Sequence, residues 1–236
     1  MELEIWSDVV CPWCYVGKRR MEAALARFEH GDEVHVTWRS FELDPRAPAV
    51  REGRYADRLA TKYGLSVAEA QAMIDRMTKA AADEGIAFRF DIARPGNTFD
   101  AHRLLHLAAV HRVQDQLQER LLAATFSEGQ AIGDHEVLVR LATDVGIDAD
   151  EVARMLASDD YAEAVRSDER VAAELGITAV PFFVVDRAYG LSGAQPPEAL
   201  CALLQRGSAD IHEPGLATES SAAPGCDGDT CEIGPT

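Results

Sequence analysis

The spacing of hydrophobic and polar positions changes character several times along the chain. Leu3, Ile5 and Trp6 form a short apolar run that predicts a first strand over residues 2–7. From Cys14 to Phe28 the period becomes helical, with Met21, Leu25 and Phe28 on one face and Lys18, Arg19 and Arg20 toward solvent. Gly31 ends this helix, and Val34, Val36 and Trp38 then alternate with His35, Thr37 and Arg39 as a second strand. Pro45 and Pro48 close it. Strand, helix and strand in this order predict a βαβ unit with a right-handed crossover.

Residues 50–158 read as almost entirely helical. Tyr55 to Tyr63 is stopped by Gly64, and Ser66 with Glu69 forms a capping box ahead of Ala70, Met73, Ile74 and Met77. Gly85 ends that helix, and residues 87–90 alternate briefly as an extended segment. Asn97 or Thr98 caps a helix carrying Leu104 and Leu107, and Leu117, Leu121, Leu122 and Phe126 mark the next. Asp134 and Asp148 cap two more, and Ser158 is expected to cap a helix running through Val165 to Gly176. Strand character returns at 182–186 and 188–191 as a hairpin, followed by a last helix opened by Pro196 and Pro197.

Sheet elements therefore flank a helical block. The predicted organisation is one α/β domain over 1–48 and 159–206, a helical insertion over 49–158, and a flexible tail over 207–236 rich in Gly, Ser, Ala, Pro and acid. Of the 236 residues 47% are apolar, enough for a packed core, and no fixed period marks a repeat protein. A formal charge of −17 excludes a basic nucleic-acid footprint and attraction to anionic membranes. Met1 to Ile5 carry no basic leader region, and no run of 18 apolar residues appears. The expectation is a cytoplasmic chain without membrane contact, where closely spaced cysteines point to catalysis more than to structure.

The chemistry concentrates at Cys11-Pro12-Trp13-Cys14, between the first strand and the first helix. Cys11 falls at the helix N-terminus, where unpaired N–H groups and the helix dipole favour a thiolate. Pro12 has no N–H to lose and suits the first turn. Cys14 follows one turn inside, placed to attack a mixed disulfide at Cys11. Half a zinc knuckle is the competing reading of this spacing, and it needs two further ligands. His102 and His106, four apart on a helix, have no third ligand in register and read as packed or surface histidines. Asp8 is read equally as a proton relay to Cys14 or a loop acid. Asn97, Thr98 and Asp100 are either contacts to a bound thiol or caps. Phe88 and Phe90 are either core or groove, and Cys201 is a buried small hydrophobe.

These residues together resemble a known family. Cys11 to Cys14 after a first strand, a helical insertion, and Thr178-Ala179-Val180-Pro181 before the last hairpin look like a DsbA-family thiol–disulfide oxidoreductase. The stretches 7–17, 41–45 and 97–103 are similar to its cytoplasmic FrnE-like subfamily. The resemblance implies a thioredoxin-like mixed sheet with a helical insertion, no bound metal and no resident cofactor. It implies disulfide exchange with protein or small-thiol substrates, with glutathione as a candidate co-substrate and a homodimer as a candidate assembly. Cys11 and Cys14 would be catalytic, Pro12 and Trp13 supporting, and Val180 with a cis Pro181 would present backbone to an extended substrate. Trp13 stands where strongly oxidising members carry histidine, which weakens the case for a potent oxidant. Cys226 and Cys231 resemble an extra pair found in some members, read here as a second redox pair, against a structural clip or a shared zinc site. The same broad fold serves kappa-class glutathione transferases and a glutathione-dependent isomerase, which typically carry serine where this chain has Cys11. A redox-inert thioredoxin-like chaperone is the non-enzymatic alternative.

Overall fold

The computed structural model describes residues 1–212, 226–227 and 230–232, with side chains through residue 209. The chain opens with β1 (Glu2–Ser7), α1 (Pro12–Arg27) and β2 (His35–Ser40). Six helices follow: α2 (Tyr55–Tyr63), α3 (Val67–Asp83), α4 (Phe99–Val110), α5 (Gln114–Phe126), α6 (His135–Asp144) and α7 (Ala149–Leu156). The chain then returns through α8 (Ala162–Glu174), β3 (Phe182–Val185), β4 (Tyr189–Ser192) and α9 (Pro197–His212). Two short strands, β5 (Cys226–Asp227) and β6 (Thr230–Glu232), come last.

The sheet order is β2-β1-β3-β4-β6-β5. β1 and β2 are parallel, as a βαβ unit requires, and every other pair is antiparallel. Alternation along β1 sorts its side chains. Leu3 and Ile5 pack with Met21 of α1 and Leu200 and Leu204 of α9, and Trp6 packs with Val184, Ala172 and Ile177 toward α8. This is a thioredoxin-like mixed sheet with a helical block inserted between β2 and α8. A separate core built mainly from α4 to α7 receives Val9, so the loop after β1 is anchored in the insertion.

Most helix ends follow the local chemistry. Ser66 and Glu69 make both bonds of the capping box. Asp134 accepts from Glu136 N and Asp148 from Glu151 N. Gly64 ends α2 at φ +65°, a conformation glycine adopts without strain.

Four expectations change. Lys18 does not face solvent: it is 3% exposed, held by Glu22, Asp115 and Glu119 on the seam between α1 and α5. Burial works to lower the pKa of its ammonium, and the three carboxylates outweigh that and raise it. Residues 87–90 make no strand. Phe88 and Phe90 pack against Phe126, with ring centroids 5.1 and 6.1 Å away, so they are core. Ser158 closes α7 instead of opening α8, its hydroxyl donating to Met155 O, and Tyr161 at φ +62° precedes α8. The flexible tail does not begin at 207, because α9 continues to His212. Gly207 reads as a coil signal but serves close packing, since a Cβ there would lie 2.3 Å from Val185 Cγ1. Residues 213–225, 228–229 and 233–236 of the expected tail lie outside the described residues.

Candidate active site

The site forms where β1 gives way to α1. Ser7 ends the strand, and Cys11 occupies the N-cap with extended backbone (φ −96°, ψ 112°), followed by Pro12 in the first turn. Cys11 N donates to Asp8 O at 3.0 Å and Cys14 N to Cys11 O at 3.1 Å, which fixes the turn. Cys11 is 5% exposed and Cys14 is fully buried, so Cys11 alone borders open space. Trp13 is 39% exposed beside them.

The second wall is the segment before β3. The Val180–Pro181 peptide bond is cis, and Cys11 Sγ lies 3.5 Å from Val180 O. Gly17 makes this approach feasible: a Cβ on it would meet Pro181 Cγ at 2.9 Å. Cys11, Pro12, Trp13 and Val180 therefore converge on one cavity of about 340 Å³. Cys14 lies behind Cys11.

The third wall comes from the insertion. Tyr55, Arg58 and Lys62 of α2 and Met73 and Met77 of α3 line the cavity, with Arg51 preceding them. Arg51 is paired with Asp44. Arg58 donates through Nη1 to the carbonyls of Arg51 and Glu52 at 3.4 and 3.2 Å and to that of Gly53, while its buried Nη2 has no partner. Burial first, then the nearby charge of Arg51, lowers the pKa of Arg58. Burial raises the pKa of the Tyr55 hydroxyl, and the charge of Cys11 adds to it.

Behind the cysteines lies a buried polar layer. Burial pushes the Cys14 thiol well up, and its hydrogen bond to Cys11 pushes the same way. The Ser7 side chain and the Asp8 backbone beside it push the other way, less strongly. Ser7 Oγ in turn accepts from Gln118 Nε2 of α5 at 3.0 Å, and Gln118 Oε1 is buried without a partner. Asp8 is fully buried, accepts from Leu43 N at 2.8 Å, and stands 3.5 Å from His102 Nε2. Both ring nitrogens of His102 lack hydrogen-bond partners. His106 is elsewhere engaged, 3.1 Å from Asp168 and 3.2 Å from Ser40 Oγ.

Sequence reasoning thus finds one side of this site and misses the other. Cys11, Pro12, Trp13, Val180, Pro181 and Cys14 come together, and Asp8 and Thr98 reach the cavity. Asn97 caps α4 by accepting from Phe99 N at 3.0 Å, and Asp100 is bound to Arg103 and His135, so neither touches the thiols. Cys201 is partly exposed on α9. Cys226 and Cys231 face each other across β5 and β6, at the far edge of the sheet beyond β4. Ser7, Gln118, Tyr55 and Arg58 were not singled out. Gln118 carries a signal, since it shares a helical face with Leu121 and Leu122, where a polar group needs a partner.

A thioredoxin-like sheet, two cysteines at a helix N-terminus and a cis-proline segment against them define a thioredoxin-fold dithiol protein. The chain belongs to the DSBA-like thioredoxin domain family, whose profile matches residues 2–205. It resembles a probable DsbA oxidoreductase of Streptomyces coelicolor, with 44% identity and a TM-score of 0.85 over 100% of both chains. It is also similar to the uncharacterized protein YwbO of Bacillus subtilis (strain 168), 30% identical over 78% of this chain and 86% of that one. The cytosolic disulfide reductase DsbM of Pseudomonas aeruginosa, solved with GSH, shares the fold at 18% identity and a TM-score of 0.62, over 89% of this chain and 100% of that one.

Proposed function

We propose that the protein is a cytoplasmic dithiol–disulfide oxidoreductase or isomerase of the FrnE-like kind, acting through Cys11-Pro12-Trp13-Cys14. The observation that carries this reading is the division of labour between the sulfurs. Cys11 borders the cavity at a helix N-terminus, and Cys14 waits one turn behind it, wholly buried. Cys11 thiolate attacks a substrate disulfide and forms a mixed disulfide. Cys14 then attacks Cys11 sulfur, closes the Cys11–Cys14 bond and releases the second substrate thiolate, which takes a proton from water. Run backwards, the same steps oxidise a substrate dithiol. Val180, held ahead of the cis Pro181, bounds the entry beside Cys11, supporting a role in aligning an extended substrate.

Glutathione fits as a co-substrate. In a chain of net charge −17, the cavity beside Cys11 gathers Arg51, Arg58 and Lys62. This positive lining suits a carboxylate-bearing small disulfide. A kappa-type transferase would work without Cys14, and a redox-inert chaperone without either cysteine. We further propose that Cys226 and Cys231 exchange with Cys11 and Cys14 as a second pair.

The test is insulin reduction and glutathione-disulfide turnover with single variants. Cys11→Ser abolishes both, and Cys14→Ser accumulates a mixed disulfide at Cys11. Turnover surviving in Cys14→Ser, with glutathione still bound, points to the transferase. Replacing both tail cysteines by serine slows reoxidation of the first pair, and unchanged rates refute the relay.

A further inference from the structure

Two carboxylates line the cavity beside Cys11, Asp8 and Asp44, together with three cations, Arg51, Arg58 and Lys62. Asp44 is paired with Arg51, so those two charges cancel. Arg58 donates to backbone carbonyls, and Lys62 lies 5.5 Å from the Tyr63 ring centroid, so a paired carboxylate cancels neither. The charge that an incoming substrate meets then turns on Asp8.

Asp8 is fully buried in the cavity wall, and both of its carboxylate oxygens accept hydrogen bonds. Oδ2 accepts from Leu43 N at 2.8 Å and Oδ1 from Val10 N at 3.4 Å. The Asp8 carbonyl accepts from Cys11 N at 3.0 Å, so this carboxylate belongs to the turn that carries Cys11. Donors on both oxygens suit an ionised carboxylate, and a buried charge needs an opposite one. The cationic side chain that reaches it is His102 of α4, 1% exposed, whose Nε2 stands 3.5 Å from Asp8 Oδ1. Neither ring nitrogen has a hydrogen-bond partner, so no neighbour fixes the ring as a neutral tautomer.

The other charges around this pair are already answered. Glu42, next to Leu43, is held by Arg166 of α8 at 2.5 Å. On α4 itself Asp100 pairs with Arg103, and His106 pairs with Asp168 of α8. The thiols of Cys11 and Cys14 are the remaining titratable groups nearby.

We infer that His102 is a specificity-determining residue that acts through Asp8. As an imidazolium it masks the Asp8 carboxylate, so the cavity presents the charge of Arg58 and Lys62 and admits disulfides that carry carboxylates, such as glutathione disulfide. This deepens the oxidoreductase reading above and rests on it. His102 touches no reacting atom. In the step it favours, Cys11 thiolate attacks one sulfur of the disulfide and the S–S bond breaks. The other sulfur leaves as a thiolate that takes a proton from water.

The experiment uses the full chain with Cys14→Ser, Cys201→Ala, Cys226→Ser and Cys231→Ser, which leaves Cys11 as its single thiol. Its alkylation by iodoacetate and by iodoacetamide is timed at neutral pH. The two reagents react alike but differ by one negative charge, so the ratio of their rates reports the charge of the cavity. His102→Gln, which unmasks Asp8, is expected to lower the iodoacetate to iodoacetamide ratio about fivefold. Adding Asp8→Asn to His102→Gln removes both charges and returns the ratio to within about twofold of the parent. Damaged packing is not repaired by a second substitution. An unchanged ratio in His102→Gln overturns the inference, as does a double variant whose ratio stays as low as that of His102→Gln. Should His102→Gln not fold, ring-nitrogen NMR of the parent decides. An imidazolium signature at His102 is expected at neutral pH, and a neutral tautomer overturns the inference. With Cys14 restored, His102→Gln slows turnover of glutathione disulfide about fivefold more than that of the neutral bis(2-hydroxyethyl) disulfide. Equal loss on both overturns the inference. Failure of the underlying reading looks different: the parent turns over neither disulfide, or Cys11→Ser turns over both, while the alkylation ratio still responds to His102→Gln.

Discussion

Gly17→Ala tests whether the close approach of α1 to the Pro181 segment sets the geometry at Cys11. Gly17 is buried on α1, and an added Cβ would sit 2.9 Å from Pro181 Cγ and 3.3 Å from Phe183 Cζ. Ordinary contact begins at 3.4 Å, so the Pro181 ring has to recede by 3.4 − 2.9 = 0.5 Å. Two effects oppose each other. Alanine gains about 1 kcal/mol over glycine in a helix interior. Overpacking of this kind costs about 1–3 kcal/mol. The net expectation is a loss of about 0–2 kcal/mol, a fall in Tm of no more than about 8 °C for a chain of this size. The functional effect is larger than the stability effect, because the displaced segment carries the Val180 carbonyl that stands 3.5 Å from Cys11 Sγ. Urea unfolding gives the first quantity, and insulin reduction on the folded variant gives the second, with an expected fall of several-fold. An increase in stability of about 1 kcal/mol with full activity would refute the reasoning, for it would mean that the ring moves aside freely and that its position does not matter.

Two further expectations concern other parts of the molecule. Burial works against the charge of Asp168, but His106, the Ser40 N–H and Arg39 outweigh it and hold its carboxyl below the usual range. A depressed carboxylate adds stability above its unfolded value of about 3.9, lost as pH falls through the folded value. Asp168→Asn should therefore lower stability near neutrality by about 1–3 kcal/mol and flatten the acid limb of a urea-stability profile; a parallel shift at every pH contradicts this. Trp13→His places a hydrogen-bonding or positive group within the Cys11–Cys14 loop and is expected to stabilise the thiolate. Equilibration with glutathione buffers should show a more oxidising pair, and an unchanged ratio refutes the expectation.

What the sequence could convey followed how local the physics is. The β1–α1 junction, the capping box at Ser66, the stops at Gly64 and Gly176 and the hairpin of β3 and β4 are set within a few residues, and each was readable. Lys18 was misread because helical periodicity sends a lone lysine to solvent, whereas its partners Asp115 and Glu119 arrive from a helix about 100 residues away. Phe88 and Phe90 alternate like strand residues, yet it is the aromatic packing with Phe126 that places them. Ser158 had the right chemistry for a cap on the wrong side of a turn. The half of the site on α2 and α3 was invisible for the same reason as Lys18. Its residues meet the cysteines only through tertiary packing.

The register of the last two strands has a consequence for solubility. Glu4, Val184, Gly190, Cys231 and Cys226 lie in one row across the sheet. At about 4.8 Å per strand, Cys231 is roughly 14 Å and Cys226 roughly 19 Å from β1 along that row. Exchange of the tail pair with Cys11 therefore requires the hairpin to peel away from β4. Peeling bares the outward N–H and C=O groups of β4, the kind of open edge that recruits strands from other molecules. The proposed exchange would therefore use the same few residues that cover the edge of β4, and they cannot do both at one moment.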